Sequence, residues 1–332
     1  CKFGKATKGP WRTSVATPSH INRRDITGPG DCVSVDTLQS TTPGFIGQLK
    51  GKLTRQRYEA ATIFIDDHSK FKYVHVHKSM SSEDTVQAKI AFESLAYDNG
   101  VKIQHYHCDN GRFADNLFIE HCKTKRQTIS YCGVNAHHQN GIAEKAIRDA
   151  QDQARTAILH AKARWPSAID NNLWPYALRQ AIDIHNDVPS AEDASSSRER
   201  FSQTAVAPKL KHYHTFGCPV YALDGNLQSG KTIGKWEPKS RLGIYLGQSP
   251  RHASSVALVL SLSTGLVSPQ FHIGFDDFFD SVRPGLGNAI AVSKWQGLAH
   301  FSESKEETKV SEGAPAAPGW NPIHRNYLPV AS

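Results

Sequence analysis

YEAATIFIDDHSKFKYVHVHK (58–78) consists of two runs rich in β-branched and aromatic residues, divided by Asp67-His68-Ser69. Turn-forming residues between such runs make a hairpin, so 58–69 and 70–78 are read as paired antiparallel strands. Upstream, DCVSVDTLQ (31–39) alternates with period two, placing Val33 and Val35 on one face of a strand that precedes the hairpin. The pattern then becomes helical. SSEDTVQAKIAFESLAYDNG (81–100) opens with a serine cap and an acidic first turn and closes at Gly100. VKIQHYHCD (101–109) reads as a strand, DNLFIEHCKT (115–124) as a short helix and QTISYC (127–132) as a strand. From 142 to about 162, Ile147, Ala150, Ala154, Ala157, Ile158 and Ala161 recur at helical spacing behind the Asn140-Gly141 turn. The order is β-β-β-α-β-α-β-α.

Three meandering strands followed by alternating helices and strands predict an α/β fold with a mixed five-stranded sheet and helices on its faces. That order matches an RNase H-like core. Such a sheet brings two strand ends and one helix start together, and the carboxylates at those places are Asp36, Asp109 and Glu144. Three converging carboxylates repel one another unless a cation lies between them, so the cluster predicts hard-metal chemistry. Two Mg²⁺ or Mn²⁺ ions roughly 4 Å apart can activate an attacking oxygen and stabilise a leaving one in a phosphoryl displacement. Each residue also has a simpler reading: Glu144 as a complement to the helix dipole, Asp36 as a strand-end residue, Asp109 as the cap of the DNG turn. Asp66-Asp67 is a second acidic pair that competes for attention. His137 and His138, being adjacent, point apart on most backbones, which leaves DNA contact or plain loop exposure as their roles.

The chain has 332 residues, 39 % of them hydrophobic, enough for a sizeable core plus a smaller module. A net charge of +8 and a pI of about 9.1 favour a polyanionic partner. The basic excess lies in two blocks: 1–30 carries six Lys or Arg against one acid, and 200–251 eight against two. Six cysteines without a CxxC pair suggest a reducing compartment with buried thiols. Neither a membrane span nor a secretory leader is expected. The start at Cys1 rather than methionine suggests a piece of something longer.

VSVDTLQ, FIDDHSKFKYVHV, HCDNGRF and HHQNGIAEKAIRD, in that order, resemble the catalytic core of a copia-type long-terminal-repeat retrotransposon integrase, part of a Gag-Pol polyprotein in the DDE transposase and retroviral integrase superfamily. LWPYALRQAIDIHNDVPS (173–190) resembles the helix that follows that core. FGCPVYAL, KWEPKSRLGIYLGQSP and VLSLSTGLVSPQFHIGFDDFF resemble its small β-rich module, so the resemblance covers about 1–282. It implies that Asp36, Asp109 and Glu144 are catalytic and hold two Mg²⁺ (or Mn²⁺) ions. It also places Asn110, Gly111, Gln139, Asn140 and Gly141 in active-site motifs. Element DNA ends and target DNA are the implied partners, with a homo-multimer, an intracellular location and entry to the nucleus when active. Two departures stand out. Asp109 and Glu144 are separated by 34 residues, one fewer than is usual for the family, which suggests a deletion within 116–135. CKFGKATKGPWR looks like the end of the family's His-His-Cys-Cys zinc module with only Cys1 of its ligands present, so zinc is not expected here.

The expected organisation is a truncated zinc module and basic linker (1–28), the RNase H-like core (29–165), a helix and polar connector (166–206), a small β-barrel-like domain (207–282) and a disordered tail (283–332). Lys145, Arg148 and Arg155 on the Glu144 helix either meet DNA or form ion pairs along the helix. Lys231, Lys235, Trp236, Lys239 and Arg241 suit a DNA backbone or a solvated basic face; of these, Lys235, Lys239 and Arg241 are taken as DNA-binding together with Asn110, Gln139, Asn140, Lys145 and Arg148. The expected activity is metal-dependent DNA strand transfer. Its rivals are an inactive DNA-binding remnant and a nuclease that uses the same site with water as nucleophile.

Overall fold

The computed structural model describes residues 26–48, 53–132, 140–191, 194–205, 210–282 and 295–299. Two compact units are built from interleaved stretches of chain. One takes the chain up to Thr41, Glu59–Thr156 and Ala181–Leu210; the other takes Thr42–Tyr58, Ala157–Gln180 and the chain from Lys211 on.

In the first unit β1 (Val33–Gly44), β2 (Tyr58–Asp66), β3 (Lys72–His77), β4 (His105–Cys108) and β5 (Thr128–Tyr131) form one sheet in the order β3-β2-β1-β4-β5. β2 and β3 are antiparallel, whereas β1–β4 and β4–β5 are parallel, with Val33 opposite Tyr106 and His105 opposite Thr128. This is the mixed, RNase H-like sheet expected from the element order. β1 continues to Gly44, beyond the expected end at 39, and β4 starts only at His105, because Val101 and Ile103 are buried outside the ladder.

Helix α1 (Ser82–Asp98) starts where Ser81 accepts a hydrogen bond from Asp84 N, and Gly100 beyond its end has φ +73°. α2 (Asn116–Thr124) is capped by Asp115 in the same way. With the sheet they enclose a core of Val33, Val35, Phe64, Phe92, Tyr106 and Phe118. Phe64 and Phe92 stack with centroids 4.8 Å apart, worth roughly 0.5–1.5 kcal/mol beyond their burial. α3 (Gly141–Arg164) buries Ala143, Ala146, Ala150 and Ala154, small residues at helical spacing that permit close approach. α4 (Trp174–Asp187) contributes Asn186, whose amide bonds both the N–H and the carbonyl of Lys72.

The 190–203 segment, expected as a polar connector, contains a further helix. In α5 (Ser197–Ser202) Ser196 and Glu199 form a reciprocal capping box, and Phe201 stacks on Phe71 at 4.4 Å. Its serine-rich composition concealed a single buried anchor.

The second unit holds an antiparallel sheet of β6 (Pro219–Leu223), β7 (Ser240–Gln248), β8 (Ala257–Ser261), β9 (Val267–Gln270) and β10 (Ile273–Phe275), in the order β10-β6-β7-β8-β9. Phe45 packs on Tyr176 and Trp295, and the Trp295 indole donates to Ala168 O. Cys32, Cys108, Cys122, Cys132 and Cys218 are buried thiols, as the spacing suggested. No helix among the described residues is long and apolar enough to cross a membrane. The Cys1 segment and the chain beyond 299 lie outside the described residues.

Candidate active site

Asp36 lies in β1, Asp109 follows the last residue of β4, and Glu144 occupies the first turn of α3. The parallel register pairs Ser34 with His107, so continuing it by two residues sets Asp36 beside Asp109 on neighbouring strands and on the same face. All three side chains are half-buried. Asp36 and Glu144 line one shallow open cleft together with Gln39, Ile147, Arg148 and Gln151.

Cys132 lies just past the end of β5. Burial pushes its thiol pKa up, and the negative charges of Asp109, Glu144 and Asp36 push it further in the same direction. Cys108 is raised for the same reasons, by burial first and then by Asp109, with Asp36 contributing less.

The surroundings fix the backbone around these residues. Asn110 Nδ2 donates to Cys132 O at 2.9 Å, joining the ends of β4 and β5. Asn140 Nδ2 donates to Val35 O at 3.3 Å, anchoring the start of α3 to the residue before Asp36. At Gly111 a Cβ would come within 3.0 Å of Asp109 Oδ2, so the glycine leaves room for that carboxylate. Asp36 Oδ1 accepts from Thr37 N at 2.7 Å. Among the described residues neither Asp109 nor Glu144 has a hydrogen-bonding or ion-pairing partner for its carboxylate.

Asp66 and Asp67 behave otherwise. Asp66 accepts from Gly30 N, Ser69 N and Ser69 Oγ, and Asp67 from Ser34 Oγ, all at 2.6–2.7 Å. Both are buried and serve the hairpin.

Of the residues expected to meet DNA, Arg148 lines the cleft beside Glu144 without pairing to it among the described residues. Arg155 instead pairs with Asp152 at 2.8 Å. Lys145 and Asn110 are exposed, but Asn140 is 3 % exposed and holds backbone, a positioning role that sequence reasoning missed. Gln139, His137 and His138 lie outside the described residues. Lys235, Lys239 and Arg241 are exposed in the second unit. The shortened Asp109–Glu144 spacing leaves β5 intact: it pairs with β4 from Thr128 to Tyr131 without a break, and Cys132 N continues the ladder to Cys108 O.

No family model matches the chain. Solved structures similar to the chain include retroviral integrases. The HTLV-2 integrase catalytic core domain in complex with magnesium is 17 % identical, covering 52 % of this chain and 97 % of that one, with a TM-score of 0.38. The simian T-cell lymphotropic virus intasome in complex with PP2A regulatory subunit B56 gamma is 14 % identical over 78 % and 84 % of the two chains, at 0.40. The BIV integrase catalytic core domain is 15 % identical over 52 % and 95 %, at 0.36. The fold assignment rests on the strand order and register given above.

The donor set suits a hard cation. Mg²⁺ is commonly held by one or two carboxylates, with water and phosphate oxygens completing its shell. Among the described residues no three His, Cys, Asp or Glu side chains converge tightly enough to hold an ion unaided. Asp36 and Glu144, which line one shallow cleft, are oxygen donors of the kind such an ion takes.

Proposed function

We propose that this chain is an integrase of the copia-type retrotransposon kind, a polynucleotidyl transferase that joins element DNA ends to target DNA. What supports the reading is geometric: Asp36 and Glu144 line one cleft, and the β1–β4 register continued by two residues sets Asp36 beside Asp109. Asp36, Asp109 and Glu144 are the residues that would hold the divalent cations. Bound there, Mg²⁺ or Mn²⁺ would neutralise charge building on the phosphoryl oxygens and favour the ionised form of an attacking hydroxyl.

The protein's share is placement. The Asn140–Val35 bond aims the first turn of α3 at β1, and the Asn110–Cys132 bond sets the loop that carries Asp109. Arg148, which lines the cleft with Glu144, would meet a phosphate of the incoming strand. A 3′-hydroxyl of the element end attacks a target phosphodiester: the new O–P bond forms as the target's 3′-oxygen leaves, so one bond is exchanged for another. No covalent protein intermediate is involved. Joining two ends to one target calls for more than one copy of the chain, and the reaction belongs in the nucleus.

The test is a strand-transfer assay with a pre-cut duplex end, a plasmid target and Mg²⁺ or Mn²⁺, run beside Asp109→Asn. Joined product from the wild type alone supports the proposal. Cleavage without joining points to a nuclease, and salt-sensitive binding without either product points to an inactive remnant.

A further inference from the structure

In the second unit, α6 (Gly225–Gln228) leads through residues 229–239 into β7. This connection is held at its base by Lys231 N to Asn226 O at 2.8 Å and Asp224 N to Lys239 O at 2.9 Å. At its tip Trp236 is 91 % exposed, with Lys235 Nζ 5.7 Å from its ring centroid. Lys231, Lys235 and Lys239 lie on the same connection and Arg241 just beyond it in β7, against a single acid, Glu237, and all are exposed.

An exposed apolar side chain alone marks nothing. Here, however, a wide aromatic face stands among cations on a connection tied at both ends. We infer that Trp236 is a stacking platform for an unpaired nucleobase, so that this unit prefers single-stranded over duplex nucleic acid. The inference rests on the proposed nucleic-acid function and deepens it. Lysines and arginines recognise phosphate in either form and cannot discriminate. An aromatic face can, because in a duplex the faces of the bases are already covered by their neighbours, whereas in a single strand every base offers one. The neighbouring cations would follow the backbone on either side of the stacked base.

The experiment is fluorescence anisotropy of the full chain with a labelled dT12 strand and with a duplex of the same length, for wild type, Trp236→Ala and Trp236→Phe. Because Trp236 packs against nothing in the core, Trp236→Ala should unfold at the wild-type temperature. The expected result is roughly 5- to 150-fold weaker binding of dT12 by Trp236→Ala, with duplex affinity nearly unchanged and Trp236→Phe restoring most of the loss. Equal losses on both forms, no loss on either, or no binding of dT12 by the wild type would each overturn the inference. The readout needs no metal and no joining reaction. A failed strand-transfer assay would therefore leave it standing, and a failed stacking test would leave strand transfer standing.

Discussion

Two sets of carboxylates in the first unit stand on opposite terms. Asp66 and Asp67 are buried, and each spends its oxygens on the protein's own donors, so the hairpin and the loop at Gly30 are held by charge-assisted hydrogen bonds. Asp109 and Glu144 are half-buried and, among the described residues, have no such donors, while the backbone around them is tied by Asn110 and Asn140. The two sets thus differ in their partners: one is occupied by the protein's own donors, and the other, among the described residues, is not. Acidic residues that look alike in sequence are told apart by who supplies their hydrogen bonds.

The sharpest way to break this contrast is to neutralise one of the second set. Asp109→Asn or Glu144→Gln should lower strand transfer roughly a thousandfold, several kcal/mol of lost transition-state stabilisation, while urea denaturation stays close to wild type. Normal joining by either variant would remove that residue from the site. Asp66→Ala should do the reverse. It strands three donors in a buried loop and should cost on the order of 3 kcal/mol in the same denaturation measurement, with joining by the folded fraction little changed.

The contrast extends to histidine. His77, 4 % exposed and bonded to Thr62 Oγ1 at 2.7 Å, is lowered to about 4, first by burial. Because its folded pKa is below the unfolded value of 6.5, the unfolded chain binds more protons between the two. The stability this supplies is complete above the unfolded value and is lost as pH falls from 6.5 toward 4, by up to about 3 kcal/mol. Unfolding curves across that window should be steeper in pH for the wild type than for His77→Gln, and identical slopes would exclude the effect. The smallest effect is expected at Asn140→Ala: about 1 kcal/mol of stability from the lost bond to Val35 O, accompanied by a fall in joining as Glu144 loses its aim. Loss of stability with unchanged joining would make Asn140 a purely structural residue.

Much of the first sheet was legible because period two, helical spacing and the Ser81 and Asp115 caps agree with the tertiary arrangement. What was not legible depended on partners distant in sequence. Nothing in SAEDASSSRERFSQ indicates that Phe201 will find Phe71, or that Val101 and Ile103 will be buried outside the β4 ladder. The elements that carry Asp36, Asp109 and Glu144 could be read from local pattern, although Asp36 lies inside β1, which runs on to Gly44, and not at a strand end. The roles of Asn110 and Asn140 could not: an amide in a turn looks the same whether it faces a ligand or a carbonyl in another element. Their place next to the two carboxylate motifs was the only signal, and it pointed to contact with DNA.

The interleaving of the two units bears on how the protein can be cut. The chain passes from one to the other five times, after Thr41, Tyr58, Thr156, Gln180 and Leu210. Ending it near 207 to isolate a catalytic fragment would keep Phe45, Ala161, Trp165 and Tyr176 but remove Gly217, which packs on Ala161, and Trp295, which packs on Phe45. Such a fragment would carry an orphaned greasy surface and should be insoluble. Any exchange of parts between relatives would have to splice at five junctions at once, which makes this pair of units a single heritable block despite its two sheets.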